Sequence, residues 1–460
     1  VTVTGTAADL TGKTVTGTSS GVDTVQITGT TGAVVDFSSM SVDNIITGDL
    51  GGNATTVASG QDLQVNVTQT TDLELTAAAA TKATNSVNID VNDGATATNT
   101  IDLVATKATN IATLNVTATD NVDFGAVTIT SDGTLNISGA GTAAIAGSST
   151  AKAVDASEMT GNLTATLAST LTTVTGGAGQ DGFTVAGDHD FTIDGGLSTD
   201  TLTIVSATTD LDFSDNTVSL TSVETIAFDD NANATTHTFA SSVLDGAALI
   251  VKGERSTTVR DSLGVAMDET SVNLSGITID AAMAEIVVTS TDVASSALEM
   301  TGSAYADKVT AGSQSDIINL GEGANTVVDA GDGDDVITGG SGVDTVTQAG
   351  AGNDTMQLGD GNNVVTDAGA GNDVITTGSG DDTVTSSGAG NDVMNLGNGA
   401  NTADGNSGDD TITGGTGVDT FTGGAGKDVL NGLAEADVLF GDNAGTKEVA
   451  TLTLVGSGTS

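Results

Sequence analysis

Apolar and polar residues alternate along most of this 460-residue chain, with Val, Ile and Leu followed by Thr, Ser or Asn. Clear examples are DLQVNVT (62–68), SVNIDVN (86–92) and ATLNVTA (112–118). Alternation with a period of two is the pattern of a β-strand that buries one face. The pattern therefore predicts an all-β protein.

The first part of the chain, residues 1–301, consists of such short runs separated by Gly, Asn, Asp and Thr. Regularly spaced short strands are typical of a β-sandwich or of a β-helix. The repeat-like spacing favours a Thr- and Asn-rich β-solenoid or stacked β-modules. A candidate boundary between two subdomains lies near residue 160.

A second pattern occupies residues 302–441, where Gly-x-Gly-x-Asp or Asn is followed by a short β-branched run, as in GDGDDVITG (331–339) and GAGNDTMQL (350–358). Successive copies begin nine or ten residues apart and stay in register, so that two copies make one turn of a predicted solenoid. We expect the tail, residues 442–460, to cap the last turn, because an open solenoid end exposes unpaired strand edges.

The middle residue of each short run is apolar and is predicted to point into a core between two facing sheets. One sheet supplies Ile337, Met356, Ile375, Met394, Ile412 and Leu430, and the other supplies Val327, Val346, Val365, Val384, Ala403 and Phe421.

The fifth residue of each copy forms a ladder on either side of the predicted solenoid. One ladder is all Asp and the other alternates Asn with Asp over most of its length. The first contains Asp316, Asp335, Asp354, Asp373, Asp392, Asp410 and Asp428, and the second contains Asp307, Asn325, Asp344, Asn363, Asp382, Asn401, Asp419 and Asp437. Carboxylates stacked about 4.8 Å apart repel by roughly 3 kcal/mol per pair at an effective dielectric near 20. We therefore expect the block to need a cation between turns in order to fold.

The glycines of the copies tolerate positive φ and allow the backbone to approach an ion closely, so that carbonyl oxygens can be aimed inward. Together with the ladder carboxylates they offer about six hard oxygen ligands, which suits Ca²⁺ better than Mg²⁺. The candidate glycine ligands are Gly331, Gly333, Gly350, Gly352, Gly369, Gly371, Gly388 and Gly390.

This block resembles the calcium-binding β-roll of RTX proteins, whose repeat is Gly-Gly-x-Gly-x-Asp followed by strand residues. The resemblance implies a C-terminal parallel β-roll with several Ca²⁺ between its turns, an extracellular location and export by a type I machine. It also implies that each ion takes a carboxylate from both flanking turns. The chain departs from the family pattern by its ten-residue steps and by Asn325, Asn363 and Asn401. We therefore expect the mixed ladder to bind calcium more weakly, in a second affinity class.

Two isolated forerunners of the motif lie earlier in the chain. GGAGQDGFTV (176–185) and GGLSTDTLTI (195–204) place Asp181 and Asp200 at equivalent positions. We include both residues among the candidate metal ligands.

Charge limits the partners of the protein. Sixty acidic and ten basic residues give a formal charge of −50, which disfavours nucleic acid and anionic membranes. Three of the basic residues lie in VKGERSTTVR (251–260), a candidate contact with an acidic neighbouring subunit or with a cell-surface polysaccharide. No apolar run approaches the roughly 18 residues of a transmembrane segment. The chain lacks Cys, so disulfides do not cross-link it, and it begins at Val1, as expected of a processed protein or a fragment.

Catalytic motifs are missing from the sequence. His189 and His237 are the only histidines, and neither stands in a metalloprotease or triad-like context. We expect a non-enzyme. The favoured function is a secreted structural protein that assembles with itself and Ca²⁺, resembling RTX-bearing surface-layer and biofilm-matrix proteins of Gram-negative bacteria. The alternative is a fragment or stalk of an RTX adhesin that binds carbohydrate or a host surface.

Overall fold

The computed structural model describes residues 111–442 apart from 130–132, 147–149, 207–208, 230–233, 254–259, 282 and 291–295. Before residue 111 it describes mainly the strands named below, and after residue 442 it describes 451–452. The chain divides into two compact units. Unit 1 contains Val1–Ala207 and Asn216–Asp230, and unit 2 contains Thr208–Asp215 and Asn231–Ser460.

Unit 1 is built of strands that join in parallel. They are β1 (Thr2–Gly5), β2 (Thr24–Ile27), β3 (Val35–Asp36), β4 (Asn44–Thr47), β5 (Thr55–Val57), β6 (Gln61–Val65), β7 (Leu73–Ala77), β8 (Ser86–Val91), β9 (Thr100–Asp102), β10 (Ala105–Thr109), β11 (Thr113–Ala118), β12 (Asn121–Ile129), β13 (Thr134–Gly139), β14 (Ala143–Ala146), β15 (Ala153–Met159), β16 (Leu163–Leu167), β17 (Thr173–Thr175), β18 (Gly182–Ala186), β19 (Phe191–Asp194), β20 (Thr201–Val205), β21 (Val218–Thr221) and β22 (Thr225–Asp229).

Unit 2 contains the remaining strands and one helical turn, α1 (Ser241–Leu244). The strands are β23 (Thr236–Ala240), β24 (Ile250–Lys252), β25 (Asp261–Ala266), β26 (Ser271–Asn273), β27 (Thr278–Ile279), β28 (Met283–Thr289), β29 (Glu299–Thr301), β30 (Asp307–Thr310), β31 (Ile317–Asn319), β32 (Thr326–Asp329), β33 (Val336–Thr338), β34 (Thr345–Val346), β35 (Thr355–Gly359), β36 (Val364–Val365), β37 (Val374–Thr377), β38 (Thr383–Val384), β39 (Val393–Asn395), β40 (Thr402–Asp404), β41 (Thr411–Thr413), β42 (Thr420–Gly424), β43 (Val429–Asn431), β44 (Val438–Asp442) and β45 (Thr451–Leu452).

From β2 onward the strands of unit 1 alternate between two parallel sheets, except that β9 and β10 both belong to the second. The first sheet runs β1-β2-β4-β6-β8-β11-β13-β15-β17-β19-β21. The second runs β3-β5-β7-β10-β12-β14-β16-β18-β20-β22, and β9 also pairs with β12. In-register pairs put like residues together, as where Leu114 pairs with Leu135 and Asn115 with Asn136. Unit 1 is therefore a parallel β-solenoid rather than a set of separate stacked modules.

Unit 2 repeats the arrangement with shorter strands. One sheet runs β23-β25-β28-β30-β32 and on through the even-numbered strands to β44, and the other runs β26-β29-β31-β33 and on through the odd-numbered strands to β45. The predicted core is confirmed, because the apolar middle residues of both sheets are buried, from Ile337 (0% exposed) to Phe421 (0% exposed). Their in-register stacking, for example of Ile337 on Met356, explains why a three-residue strand suffices.

The all-β class and the C-terminal β-roll predicted from the sequence are confirmed. Strand β29 pairs with β26 and with β31, so the parallel sheet continues without a break across residue 301. The predicted domain boundaries stay predictions. Of the expected capping tail the structure describes Asp442, Thr451 and Leu452, and residues 254–259 of the basic segment also lie outside the described residues. Among the described residues, none forms a helix long and apolar enough to cross a bilayer.

Candidate calcium sites

The all-Asp ladder forms one continuous hydrogen-bonded column in unit 2. Through Oδ1, each Asp accepts the backbone N–H of the ladder Asp one turn earlier, from Asp316 to Asp428, at 2.8–3.0 Å. The first member, Asp316, accepts the N–H of Leu298 at 2.6 Å. Every side chain of the column is buried, with at most 2% exposed. The column fixes Oδ1 of each carboxylate by a hydrogen bond and leaves Oδ2 as the second oxygen of the same buried side chain.

That second oxygen is where the need for a cation arises. In the described chain, Oδ2 is buried without a hydrogen-bond partner in Asp335, Asp354, Asp373, Asp392 and Asp410. A buried carboxylate oxygen that has lost its water and gained no partner destabilises the fold, so regular repetition of this feature points to a site for a bound species. The bound species must accept lone pairs from these oxygens and carry positive charge, as a metal cation does.

Carbonyl oxygens converge on the same points as the Oδ2 atoms of the ladder carboxylates. A Cβ added to Gly405 would collide with Asp410 Oδ2 and with the carbonyl oxygen of Gly423. A Cβ on Gly339 would likewise collide with Asp344 Oδ2 and meet the carbonyl oxygen of Leu358 at 2.6 Å. Among the described residues no three acidic or His side chains meet at one point, so backbone carbonyls would have to complete the coordination. This all-oxygen lining fits Ca²⁺.

The protonation of the ladder reflects its burial. Burial, with the neighbouring carboxylates adding to it, raises the pKa of Asp335, Asp373 and Asp410 to about 7. Burial also raises the pKa of Asp316, Asp354 and Asp392. Without a cation, the ladder can relieve its charge only by taking up protons.

The mixed ladder on the other side has the same column of hydrogen bonds, at 2.8–3.2 Å from Asp307 to Asp437. Burial raises the pKa of Asp307 to about 7, and it also raises the pKa of Asp344, Asp382 and Asp419. The Asn members differ from the Asp members because their second side-chain atom is an N–H donor and not an oxygen. Asn363 Nδ2 donates to the carbonyl oxygen of Gly359 at 2.9 Å.

A family model for the RTX calcium-binding nonapeptide repeat matches residues 299–327, 327–347, 348–366, 367–388, 386–421 and 413–443. The C-terminal region consists of RTX repeats. RTX repeats bind calcium, and the chain carries several copies. Searches of curated proteins and of solved structures returned no match.

The candidate glycine ligands lie in the turns of the RTX repeats. All of them have positive φ, from 101° at Gly388 to 155° at Gly390. The carbonyl oxygens of Gly350 and Gly369 each accept an N–H of the next turn, from Ala370 at 3.0 Å and Ala389 at 3.1 Å. A carbonyl oxygen has a second lone pair, so these bonds leave a position for a cation.

Replacing a turn glycine is expected to destabilise the RTX repeats. In Gly369→Ala, the new Cβ would collide with the carbonyl oxygen of Gly350 at a φ of 105°. We expect a loss of about 2 kcal/mol or more in the free energy of unfolding in calcium, measured by urea titration. The exposed neighbour offers a control, because Ala370→Gly should cost under about 1 kcal/mol. Equal losses in the two variants would contradict the expectation.

A third ladder lies in unit 1, outside the RTX repeats. Leu163 N–H donates to Asp181 Oδ1 at 2.6 Å, and Asp181 N–H donates to Asp200 Oδ1 at 2.7 Å. Asp200 is buried, its Oδ2 has no hydrogen-bond partner, and burial raises its pKa to about 6. A Cβ on Gly195 would meet this Oδ2 at 2.6 Å and would collide with the carbonyl oxygen of Ser222. The two forerunners therefore reproduce the oxygen lining seen in unit 2.

Sequence reasoning missed the third member of this ladder, Glu224, whose Oε2 accepts the N–H of Asp200 at 2.8 Å. Glu is not a motif residue, and its spacing from Asp200 differs from that between Asp181 and Asp200, so the sequence carries no signal for it. Also missed was an exposed column of side-chain oxygens that accept turn N–H groups. It contains Asp334, Asn353, Asn372, Asn391 and Asp409.

Both histidines lie outside the three ladders. His237 is buried, accepts the N–H of Leu211 through Nδ1 at 3.2 Å, and places Nε2 3.2 Å from Thr235 Oγ1. His189 packs edge-on against Phe191, with the ring centroids 6.1 Å apart. A solenoid of RTX repeats is an architecture typical of structural, non-enzymatic proteins.

Proposed function

We propose that this chain is a secreted structural protein, not an enzyme, that folds with Ca²⁺ and assembles with itself into a cell-surface lattice or an extracellular matrix sheet. The observation that carries the proposal is the buried Asp column, which repeats the same unsatisfied oxygen turn after turn. Such a column makes the fold depend on calcium along its length. RTX repeat proteins are typically secreted, which supports an extracellular location.

Calcium is proposed to act at two ladders: the all-Asp ladder, and Asp181 with Asp200. At each of them a carboxylate oxygen and a backbone carbonyl line the same small space. When bound, the ion would neutralise the stacked carboxylates and join successive turns. The chain's own residues position the oxygens, since the column of N–H to Oδ1 bonds sets the orientation of every carboxylate.

An exposed aliphatic stripe supports assembly. The first residues of the odd-numbered strands β31 to β43 stack in register on the outer face of unit 2. Apolar members include Ile317 (51% exposed), Val374 (38%), Val393 (37%) and Val429 (42%). A contiguous exposed apolar patch commonly marks an interaction surface. In a chain of charge −50, calcium would also reduce the repulsion between copies.

The assembly proposal predicts that electron microscopy of the purified protein shows sheets or filaments with calcium and single particles without it. The variant Val374→Thr/Val393→Thr should assemble at least about tenfold more weakly because it removes apolar area from the stripe. Thr already occupies the equivalent positions 355 and 411, so the variant should keep its fold. A parent protein that stays monodisperse in calcium would overturn the proposal.

A second candidate function, an adhesin stalk that binds carbohydrate, is favoured by one feature of unit 1. Asn115, Asn136, Asp155, Ser157 and Glu158 line a polar depression on its surface. Asn136 donates to Asn115 at 2.9 Å, so the amides form an ordered row of donors and acceptors suited to sugar hydroxyls. Binding to a glycan array by monodisperse protein would favour this function over assembly.

A further inference from the structure

The Asn side chains of the mixed ladder have a fixed orientation. Asn363 Oδ1 accepts the N–H of Asp344 at 2.9 Å, and Asn401 Oδ1 accepts the N–H of Asp382 at 3.0 Å. Only the amide oxygen can accept these bonds, so the amide nitrogen must occupy the position that Oδ2 occupies in an Asp. An Asn in this column therefore presents an N–H donor where an Asp presents a cation ligand.

The amide nitrogen closes the turn in which it lies. Asn363 Nδ2 donates to the carbonyl oxygen of Gly359 at 2.9 Å, and Asn401 Nδ2 lies 3.3 Å from the carbonyl oxygens of both Gly397 and Gly399. Asn325 Nδ2 instead donates to Asp344 Oδ1 at 2.9 Å. For Asn363 and Asn401 the partial positive charge of the N–H thus meets a backbone carbonyl oxygen that would otherwise be left for a cation, whereas for Asn325 it meets the Oδ1 that also accepts the backbone N–H of Asn325.

We propose that Asn325, Asn363 and Asn401 are built-in substitutes for calcium, which donate hydrogen bonds within a turn or to the next turn without metal and exclude the ion from the intervals they flank. Along the mixed ladder every interval from Asp307 to Asp419 contains one of these residues. The interval between Asp419 and Asp437 alone has two carboxylates. Calcium is thus directed to the all-Asp side and to this last interval.

This inference rests on the proposed folding with calcium, and it changes the expectation for the mixed ladder. The sequence pattern predicts weak sites there, with one carboxylate per ion. The orientation of the amides places an N–H donor opposite the single carboxylate of each interval. We infer that these intervals bind no ion, because such a donor repels a cation, even at Asp382, whose Oδ2 is buried without a hydrogen-bond partner. The RTX repeats would then bind calcium chiefly along one side.

The test is to count bound calcium in the full chain by equilibrium dialysis and by Tb³⁺ luminescence. Asn363→Asp and Asn401→Asp should each bind more calcium per chain than the parent, because they restore two carboxylates to the flanking intervals. Asn353→Asp is the matched control, since it adds the same charge on the exposed column and should bind no more than the parent. The reverse change, Asp373→Asn, should bind less calcium.

A second measurement keeps the test decisive if a variant folds poorly. In calcium-free buffer at pH 6, where the Asp ladder is largely protonated and the metal-free repeats stay folded, Asn363→Asp should unfold at a lower urea concentration than the parent, and Asp373→Asn at a higher one. If the parent binds calcium and Asn363→Asp neither binds more nor loses metal-free stability, this inference is wrong while the proposed function stands. If the parent itself binds no calcium, the proposed folding with calcium fails as well.

Discussion

Removal of calcium at pH 8 is expected to unfold the RTX repeats of unit 2. Without the ion, each neighbouring pair of ionised Asp residues in the all-Asp ladder repels by roughly 3 kcal/mol at an effective dielectric near 20. Several such pairs follow one another between Asp316 and Asp428. The summed repulsion approaches or exceeds the free energy of unfolding of an ordinary domain, which is roughly 5–15 kcal/mol.

Hydrogen exchange measured by mass spectrometry, before and after dialysis against EGTA, checks this result. Protection should be lost in strands β31 to β43 and should return when calcium is restored. Magnesium at the same concentration is the control, and it should restore much less protection because it demands small, nearly octahedral sites. The part of unit 1 that ends at β16 serves as an internal reference and should change little.

Strands β18 to β22 of unit 1 give the same experiment a further outcome. If calcium also binds at Asp181 and Asp200, these strands should lose protection together with unit 2. Retained protection there, with loss in unit 2, would confine calcium to the RTX repeats. Unchanged protection in unit 2 would contradict the calcium requirement altogether.

Acid is expected to replace calcium in part, so the metal-free protein should be more stable at pH 5 than at pH 8. The pKa of Asp335, Asp373 and Asp410 lies at about 7 in the folded protein, above the ordinary value of 3.8. The folded state therefore binds more protons than the unfolded chain between about pH 4 and pH 7. Stability must fall as pH rises through this window, and the full penalty is present above pH 7.

With calcium bound, the dependence on pH should reverse. The ion binds ionised carboxylates, so protons compete with it. As the pH is lowered below the pKa of these carboxylates, the calcium affinity should fall roughly tenfold per pH unit for each proton that the ion must displace. Urea midpoints of dialysed protein at pH 5, 6 and 7, and of calcium-loaded protein at pH 5, 6, 7 and 8, measure both trends. Asp373→Asn should flatten the metal-free curve, and Asp332→Asn, at an exposed position, should leave it unchanged. Metal-free stability that rises with pH would contradict the assignment.

Much of unit 2 could be predicted from its sequence because its RTX repeats have a nearly constant length, which fixes the residue on which each residue stacks in the next turn. The spacing of Ile337 and Met356 along the chain decides that they stack, since neighbouring turns have almost equal length. The same argument places Asp335 beneath Asp354. The stacking in unit 1 could not be predicted because its turns differ in length. Asn115 pairs with Asn88 on one side and with Asn136 on the other, and the two pairs are separated by different numbers of residues along the chain.

The sequence by itself determined that this protein is all-β, that its C-terminal region stacks acidic residues into two unlike ladders, and that this region carries RTX repeats, which bind calcium. Periodicity is enough for these conclusions because a solenoid converts position in the repeat directly into position in space. Tertiary structure alone decided that unit 1 is a solenoid, that Glu224 continues the ladder of Asp200, and that Asn363 directs its N–H inward. These features depend on hydrogen bonds between turns, which set the direction of each side chain and leave no trace in the pattern of residues.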